Sequence, residues 1–200
     1  MKKIGNIFII LGIILITCSA LLIIRSKYID SITKDKVSEV MNAIDNTLAD
    51  VDMSEVDKKN FIVVNNKEYI GYIHLENSNI YLPINKEYTK DNLKYSPTVY
   101  YGTIEENNLI ICAHNRKYQF GFLLNVKVGN KFTITDVNNN IYEYEVCEIE
   151  ELKANMVDEM INNKSDLTLF TCTLGGLTRY TVRLNRIWER NWFLRFLFDF

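Results

Sequence analysis

From Ile4 to Ile24 the chain runs for twenty-one residues without a charged side chain, and only Asn6, Thr17 and Ser19 interrupt its apolar character. A segment of about 20 such residues is what a helix needs to cross the hydrocarbon core of a bilayer, where backbone polar groups must be satisfied within the segment itself. Residues 1–27 are therefore expected to form an N-terminal transmembrane helix, an uncleaved signal anchor crossing the membrane once. Lys2 and Lys3 followed by Cys18-Ser19-Ala20 also fit a cleaved signal peptide, but the apolar run continues through Leu21, Leu22, Ile23 and Ile24, past the length of such a core. Thr17 directly before Cys18, and the apolar residues after it, argue against lipoprotein processing. Charge alone does not orient the segment, because Lys2 and Lys3 on one side face Arg25, Lys27, Lys34 and Lys36 on the other.

Residues 28–60 read as a helical stalk or linker. In "KDKVSEVMNAIDNTLADV" the residues Val37, Val40, Met41, Ile44, Leu48 and Val51 recur at close to i, i+3, i+4, i+7 spacing, one stripe of an amphipathic helix that packs on a domain or on itself. The texture changes at about Phe61. The runs "FIVV", "YIGYIHL", "NIYLPI", "NLIICAH", "KFTITD", "IYEYEVCEI", "LTLFTC" and "RYTVRLNRI" are short, rich in β-branched and aromatic residues, and punctuated by Asn, Gly and Asp. Residues 61–200 are thus expected to form one mostly β domain, a barrel or a sandwich. "DVNNNIYEYEV" predicts a hairpin with Asn138, Asn139 or Asn140 in a left-handed conformation. Residues 153–166, "KANMVDEMINNKSD", lack strand texture and read as a loop with a short helix. The closing "WERNWFLRFLFDF" reads as a helix packed on the barrel, or as a contact with the membrane interface through Trp188, Trp192 and Phe193 beside Arg190 and Arg195.

A formal net charge of -2 gives no electrostatic support for a nucleic-acid partner. The four cysteines, Cys18, Cys112, Cys147 and Cys172, have neither metal-site spacing nor the density of a disulfide scaffold. Glu105, Glu106, Glu148, Glu150 and Glu151 read as solvated loop residues, so no metal and no cofactor is expected.

Three residues stand where buried strands give way to polar loops. His114 follows "NLIIC", Cys172 ends "LTLFTC", and Arg179 opens the next strand beyond Gly175 and Gly176. A thiol nucleophile needs a proton acceptor that can also protonate the leaving group, which an imidazole supplies. It also needs a donor where an oxyanion forms, which a guanidinium supplies. Each residue alone has an inert reading, Cys172 as core thiol above all. His74 reads as a surface strand residue, and Cys112, two positions before His114, as buried filler.

These stretches together resemble the sortases, cysteine transpeptidases of Gram-positive cell surfaces. "TLFTC" fits the family's Thr-Leu-x-Thr-Cys signature, "ICAHN" its strand-end histidine, and "RYTV" the arginine strand after the cysteine. The resemblance runs from about Tyr69 to Arg186 and includes "NIYLPI" and "YYGTIEENNLIICAHN" in the expected order. His114 precedes Cys172 by 58 residues and Arg179 follows it by seven. The loop "TLGGLT" is shorter than in many members, which keeps Arg183, on the same face four residues later, as a second candidate for the arginine role.

The resemblance implies a closed eight-stranded β-barrel with His114, Cys172 and Arg179 catalytic and with Thr171, Thr173, Gly175 and Gly176 at the substrate. It implies cleavage of a Thr-Gly bond in an LPxTG-like sorting signal through a Cys172 thioacyl enzyme, and transfer to an amine. The partners would be surface proteins that carry the signal, a peptidoglycan-precursor or pilin amine, and the membrane. The domain would then lie outside the cell. Reference pKa values of about 8.5 for Cys and about 6.5 for His make neutral thiol and neutral imidazole the default pair at neutral pH. A peptidase that uses water as acceptor and a non-catalytic anchored β-domain that binds cell-wall or protein ligands remain alternatives.

Overall fold

The computed structural model of the protein describes residues 2–49 and 60–187. The aromatic C-terminal run and stalk residues 50–59 lie outside the described residues. A single helix, α1 (Lys2–Ala49), continues from the apolar segment into the stalk without interruption. Its apolar part is long and apolar enough to cross a membrane, and none of that stretch is buried against the rest of the protein. The amphipathic stripe behaves differently: Val37, Val40 and Ile44 are buried, and Met41 packs beside them. Leu48 and Val51 of the expected stripe are not among the residues with described side chains.

Among the described residues nine strands follow: β1 (Ile62–Val64), β2 (Lys67–Leu75), β3 (Tyr81–Asn85), β4 (Thr98–Tyr101), β5 (Leu109–Cys112), β6 (Lys131–Asp136), β7 (Ile141–Lys153), β8 (Leu167–Cys172) and β9 (Thr178–Arg186). Two short helices, α2 (Lys90–Leu93) and α3 (Val157–Ile161), and a 3-10 segment, Phe120–Asn125, lie between them. The hydrogen-bonded order β2-β3-β4-β5-β8-β9-β7-β6 returns to β2 through β2–β6 pairing, which closes an eight-stranded barrel. Among the described strand pairs, β3–β4 and β5–β8 are the parallel ones.

Eight strands close the ring, but they are not the eight runs expected from sequence. "FIVV" forms β1, which stands outside the ring and pairs only with the first residues of β2. The missing ring strand is β4, "TVYY", whose few residues follow Pro97 and carry no apolar run of their own. β1 and β2 are joined by Asn65 and Asn66, both at positive φ (52° and 62°), the conformation that a tight two-residue hairpin requires. Asn139 (φ 63°) takes the same left-handed conformation in the longer, four-residue connection between β6 and β7. Where β2 exchanges β1 for β6 the register slips at Tyr69/Gly71, and a Cβ on Gly71 would run into the Thr135 carbonyl. No larger residue fits that crossing.

The barrel interior is filled by Phe120, Phe132, Tyr144, Ile73, Ile84, Leu109, Ile111, Leu167, Leu169, Val182 and Leu184. A second, smaller apolar layer covers the outer face of β5, β8 and the end of β7. There Ile110, Cys112, Phe170, Leu152 and Met160 pack together, flanked by Leu93 and Tyr100. This layer explains why "LTLF" ends in adjacent apolar residues rather than alternating to its end: Leu167 and Leu169 face inward, and Phe170 is covered from outside. Val40 and Ile44 of α1 pack against Ile62, Tyr69 and Val137. Val137 lies past the β6 end that meets Ile141, whereas the far end of β7, Lys153, meets Thr178 beside the cysteine strand. The stalk helix therefore braces the barrel end away from Cys172.

This packing predicts that Ile44→Ala, which empties a fully buried site, lowers the unfolding free energy of the full chain by about 2–4 kcal/mol. Ile13→Ala, on an exposed stretch, leaves it unchanged. Chemical denaturation in detergent reads both.

Candidate active site

The ends of β5 and β8 point the same way because these strands are parallel neighbours, with Cys112 opposite Phe170. The pairing continues one step further, since the Ala113 N–H donates to the Phe170 carbonyl (3.3 Å). His114 and Cys172 come next on their chains. Strand alternation puts both on the outer face with Cys112 and Phe170. On the other side of β8, β9 runs antiparallel in a register that sets Cys172 directly opposite Arg179. Three strand ends thus bring the three sequence-predicted residues to one rim of the barrel.

Thr171, fully buried, donates its hydroxyl to the Ala113 carbonyl at 2.8 Å. That bond ties the residue before Cys172 to the residue before His114. Thr173 is engaged too, its Oγ1 lying 2.6 Å from that of Thr178 across the turn. Gly175 (φ 87°) and Gly176 (φ 74°) both take the left-handed region that lets six residues reverse the chain. The turn leaves Leu174 and Leu177 99% and 80% exposed. Arg179 reaches back over it, Nη1 donating to the carbonyls of Gly176 (3.1 Å) and Thr178 (3.4 Å).

His114 is half-buried, and its backbone is held on both sides. Its N–H donates to Oε1 of Gln119 (3.0 Å), and its carbonyl accepts from the N–H groups of Arg116 and Phe120. Burial, with the Arg116 charge adding to it, holds the imidazole pKa below its ordinary value and so favours the neutral ring. Gln119 is fully buried and donates from Nε2 to the Leu93 carbonyl (3.0 Å), so one amide joins the histidine loop to the end of α2. Nothing in "RKYQFGFL" marks that glutamine, because a buried amide is revealed by its partners rather than its neighbours in sequence.

A second residue unmarked in the sequence is Tyr88. Its ring packs edge-on against Tyr100 (5.5 Å), which packs edge-on against Phe170 (5.3 Å). Partial burial raises the phenol pKa; Cys112, Tyr100 and Cys172 add to the rise and Arg179 opposes it. Cys112 fits its reading as filler: burial pushes its thiol up to about 12, and its sulfur lies 3.4 Å from the Thr98 hydroxyl. Arg183, the second candidate for the arginine role, is buried and bound to Glu150, Thr168 and the α3 carbonyls. Arg179 is the one paired with the cysteine. His74, stacked on Tyr81 (4.1 Å), stands on the β2–β3 pair and not at the site.

An NMR titration of His114 is expected to give a pKa below the free-histidine value. Arg116→Gln removes the neighbouring cation and should raise it; an unchanged value would mean that burial alone sets it.

The sortase domain model matches residues 73–186, more than half of the chain. Solved structures show the same fold. Sortase C1 of Streptococcus agalactiae is 25% identical, with a TM-score of 0.53, over 60% of this chain and 70% of that one. A Clostridium perfringens sortase D5 transpeptidase is 23% identical, with a TM-score of 0.54, over 82% and 98%. A Clostridium perfringens sortase C, solved with the C-terminal cell wall sorting motif, is 22% identical, with a TM-score of 0.54, over 84% and 98%. No curated protein sequence matches the chain. The domain model, the closed barrel and the motif order agree: this chain belongs to the sortase family, whose members are cysteine transpeptidases.

Proposed function

We propose that the protein is a membrane-anchored sortase that cleaves an LPxTG-like sorting signal and passes the acyl group to a cell-wall or pilin amine. The observation that carries this reading is the register of β8, which sets Cys172 opposite Arg179 and beside β5, whose end leads two residues on to His114. Cys172 is the nucleophile. Its thiolate attacks the Thr carbonyl of a Thr-Gly bond, and the electron pair moves to the oxygen, where the Arg179 guanidinium donates hydrogen bonds. His114 as imidazolium protonates the departing glycine amine, leaving a thioester on Cys172. As neutral imidazole it then takes a proton from the incoming amine, which attacks the thioester and releases the thiolate, so that the starting thiolate and imidazolium are restored.

Depression of the His114 pKa makes the imidazolium form scarcer at neutral pH. Thr173, Gly175 and Gly176 form the rim next to the scissile bond. Thr171 serves it from inside, since its hydroxyl is committed to Ala113. Residues 153–166, which carry α3 and lead directly into β8, form one wall of the peptide groove. The exposed apolar part of α1 anchors the domain in a single pass. The domain faces the cell exterior, where surface proteins bearing the signal and peptidoglycan-precursor or pilin amines are reached.

Cys172→Ala is expected to abolish cleavage and transfer of a sorting peptide, whereas Cys112→Ala and Cys147→Ala keep most activity. Arg179→Lys keeps the charge but loses the planar fork of donors, so it should fail nearly as badly as Arg179→Ala, by roughly a hundred- to thousandfold in kcat. Arg179→Ala with near-normal turnover would remove it from the mechanism. Exchanging residues 153–166 for another loop should change which signal residues are preferred more than it changes the melting temperature. Assays with and without an added amine separate transfer from hydrolysis: a product that never contains the amine assigns the protein to the peptidases.

A further inference from the structure

α3 is five residues long, and Met156, at the N-cap position before it, offers no side-chain cap. A helix of this length does not hold itself in water. Two contacts fix it to the barrel. Met160 is buried in the outer apolar layer with Ile110, Cys112, Leu152 and Phe170, and Arg183 grips the backbone. Arg183 Nη2 donates to the Glu159 carbonyl (2.9 Å) and Nη1 to the Met160 carbonyl (3.1 Å). Carbonyls at the end of a helix have no partner within it, so the guanidinium supplies donors that the helix lacks.

The same side chain is held from the other side. Nε donates to Glu150 on β7 (2.8 Å) and Nη1 to the Thr168 hydroxyl on β8 (3.0 Å). The Arg183 side chain is only 3% exposed, and Glu150, at 31%, completes the ion pair. A charge so far from water persists only when it is paired and hydrogen-bonded. Four acceptors from three elements meet that requirement, and a lysine ammonium, without the planar fork, does not match them. Arg183 also stands on β9 two alternations beyond Arg179, on the same outer face, and is the register partner of Thr168 as Arg179 is of Cys172.

We infer that Arg183 is a positioning residue that sets substrate preference, by fixing α3 at a defined place relative to the nucleophile carried on the same pair of strands. The inference rests on the reading of residues 153–166 as a wall of the peptide groove. Arg183 takes no part in bond making. It decides where the wall stands when the peptide arrives, so its loss should be felt in peptide binding and discrimination rather than in the chemical step.

The test uses the full chain in detergent, with Arg183→Lys, Arg183→Met and Thr168→Val, and a panel of sorting peptides varied one position at a time. Both Arg183 variants are expected to raise KM for the preferred peptide by about tenfold and to narrow the differences across the panel, with kcat changed by less than about threefold. Amide exchange over residues 157–163 should accelerate while that over 167–172 does not. Thr168→Val, which removes one of four partners and leaves the charge paired, should move both readouts the same way by less, and it carries the test if Arg183→Met does not fold. Unchanged exchange over 157–163, or faster exchange with KM and preference intact, overturns the inference. The loop exchange separates the two claims. If it shifts preference and the Arg183 variants do not, the wall stands and Arg183 does not set it. If it shifts nothing, the wall reading fails and the inference falls with it.

Discussion

The parallel pairing of β5 with β8 is the interaction on which the site depends. These strands are 58 residues apart in sequence at their joined ends, and the Thr171 hydroxyl on the Ala113 carbonyl locks them there. A slip of one residue in either strand would turn Cys172 or His114 to the opposite face. The register is held because both strands are buried on both faces, Leu109, Ile111, Leu167 and Leu169 within the barrel and Ile110, Cys112 and Phe170 under the outer layer. Any slip would cost apolar contact on two sides at once. β9 then needs only a six-residue turn to return Arg179 to the level of Cys172, and the paired glycines make that turn.

The two ends of the barrel carry different burdens. At one end, α1 adds Val40 and Ile44 to a cluster with Ile62, Tyr69 and Val137 and braces the sheet. At the other, strand ends and short, weakly self-supporting helices leave polar and titratable groups within reach of a peptide. The site's loops can be tuned by single side chains, as Gln119 does for the histidine loop and Arg183 for α3.

Much of this was legible in the sequence, for identifiable reasons. Cys172, His114 and Arg179 could be singled out because each sits at a boundary between an apolar strand and a polar loop, and boundaries are local. The helical stripe Val37, Val40, Ile44 was legible by periodicity. What escaped was set by partners distant in the chain. β4 has no apolar run, and its identity as a ring strand comes from pairing with β3 and β5. β1 looked like the others and stands outside the ring because its hairpin turn folds it onto only the first residues of β2. Gln119 and Tyr88 carry no local signature, and the different fates of Arg179 and Arg183, one at a turn and one inside a cage of four acceptors, depend on what α3 and β7 place around them.

The central claim is that Cys172 carries the acyl group between the two halves of a transpeptidation. Incubating the full chain with a sorting peptide in the absence of amine, quenching with acid and mapping the adduct by mass spectrometry tests it directly. The account predicts a mass increase equal to the acyl fragment up to the threonine, confined to the peptide containing Cys172 and discharged on addition of an amine. An adduct on Cys112 or Cys147, or cleavage with no adduct on any cysteine, would contradict it.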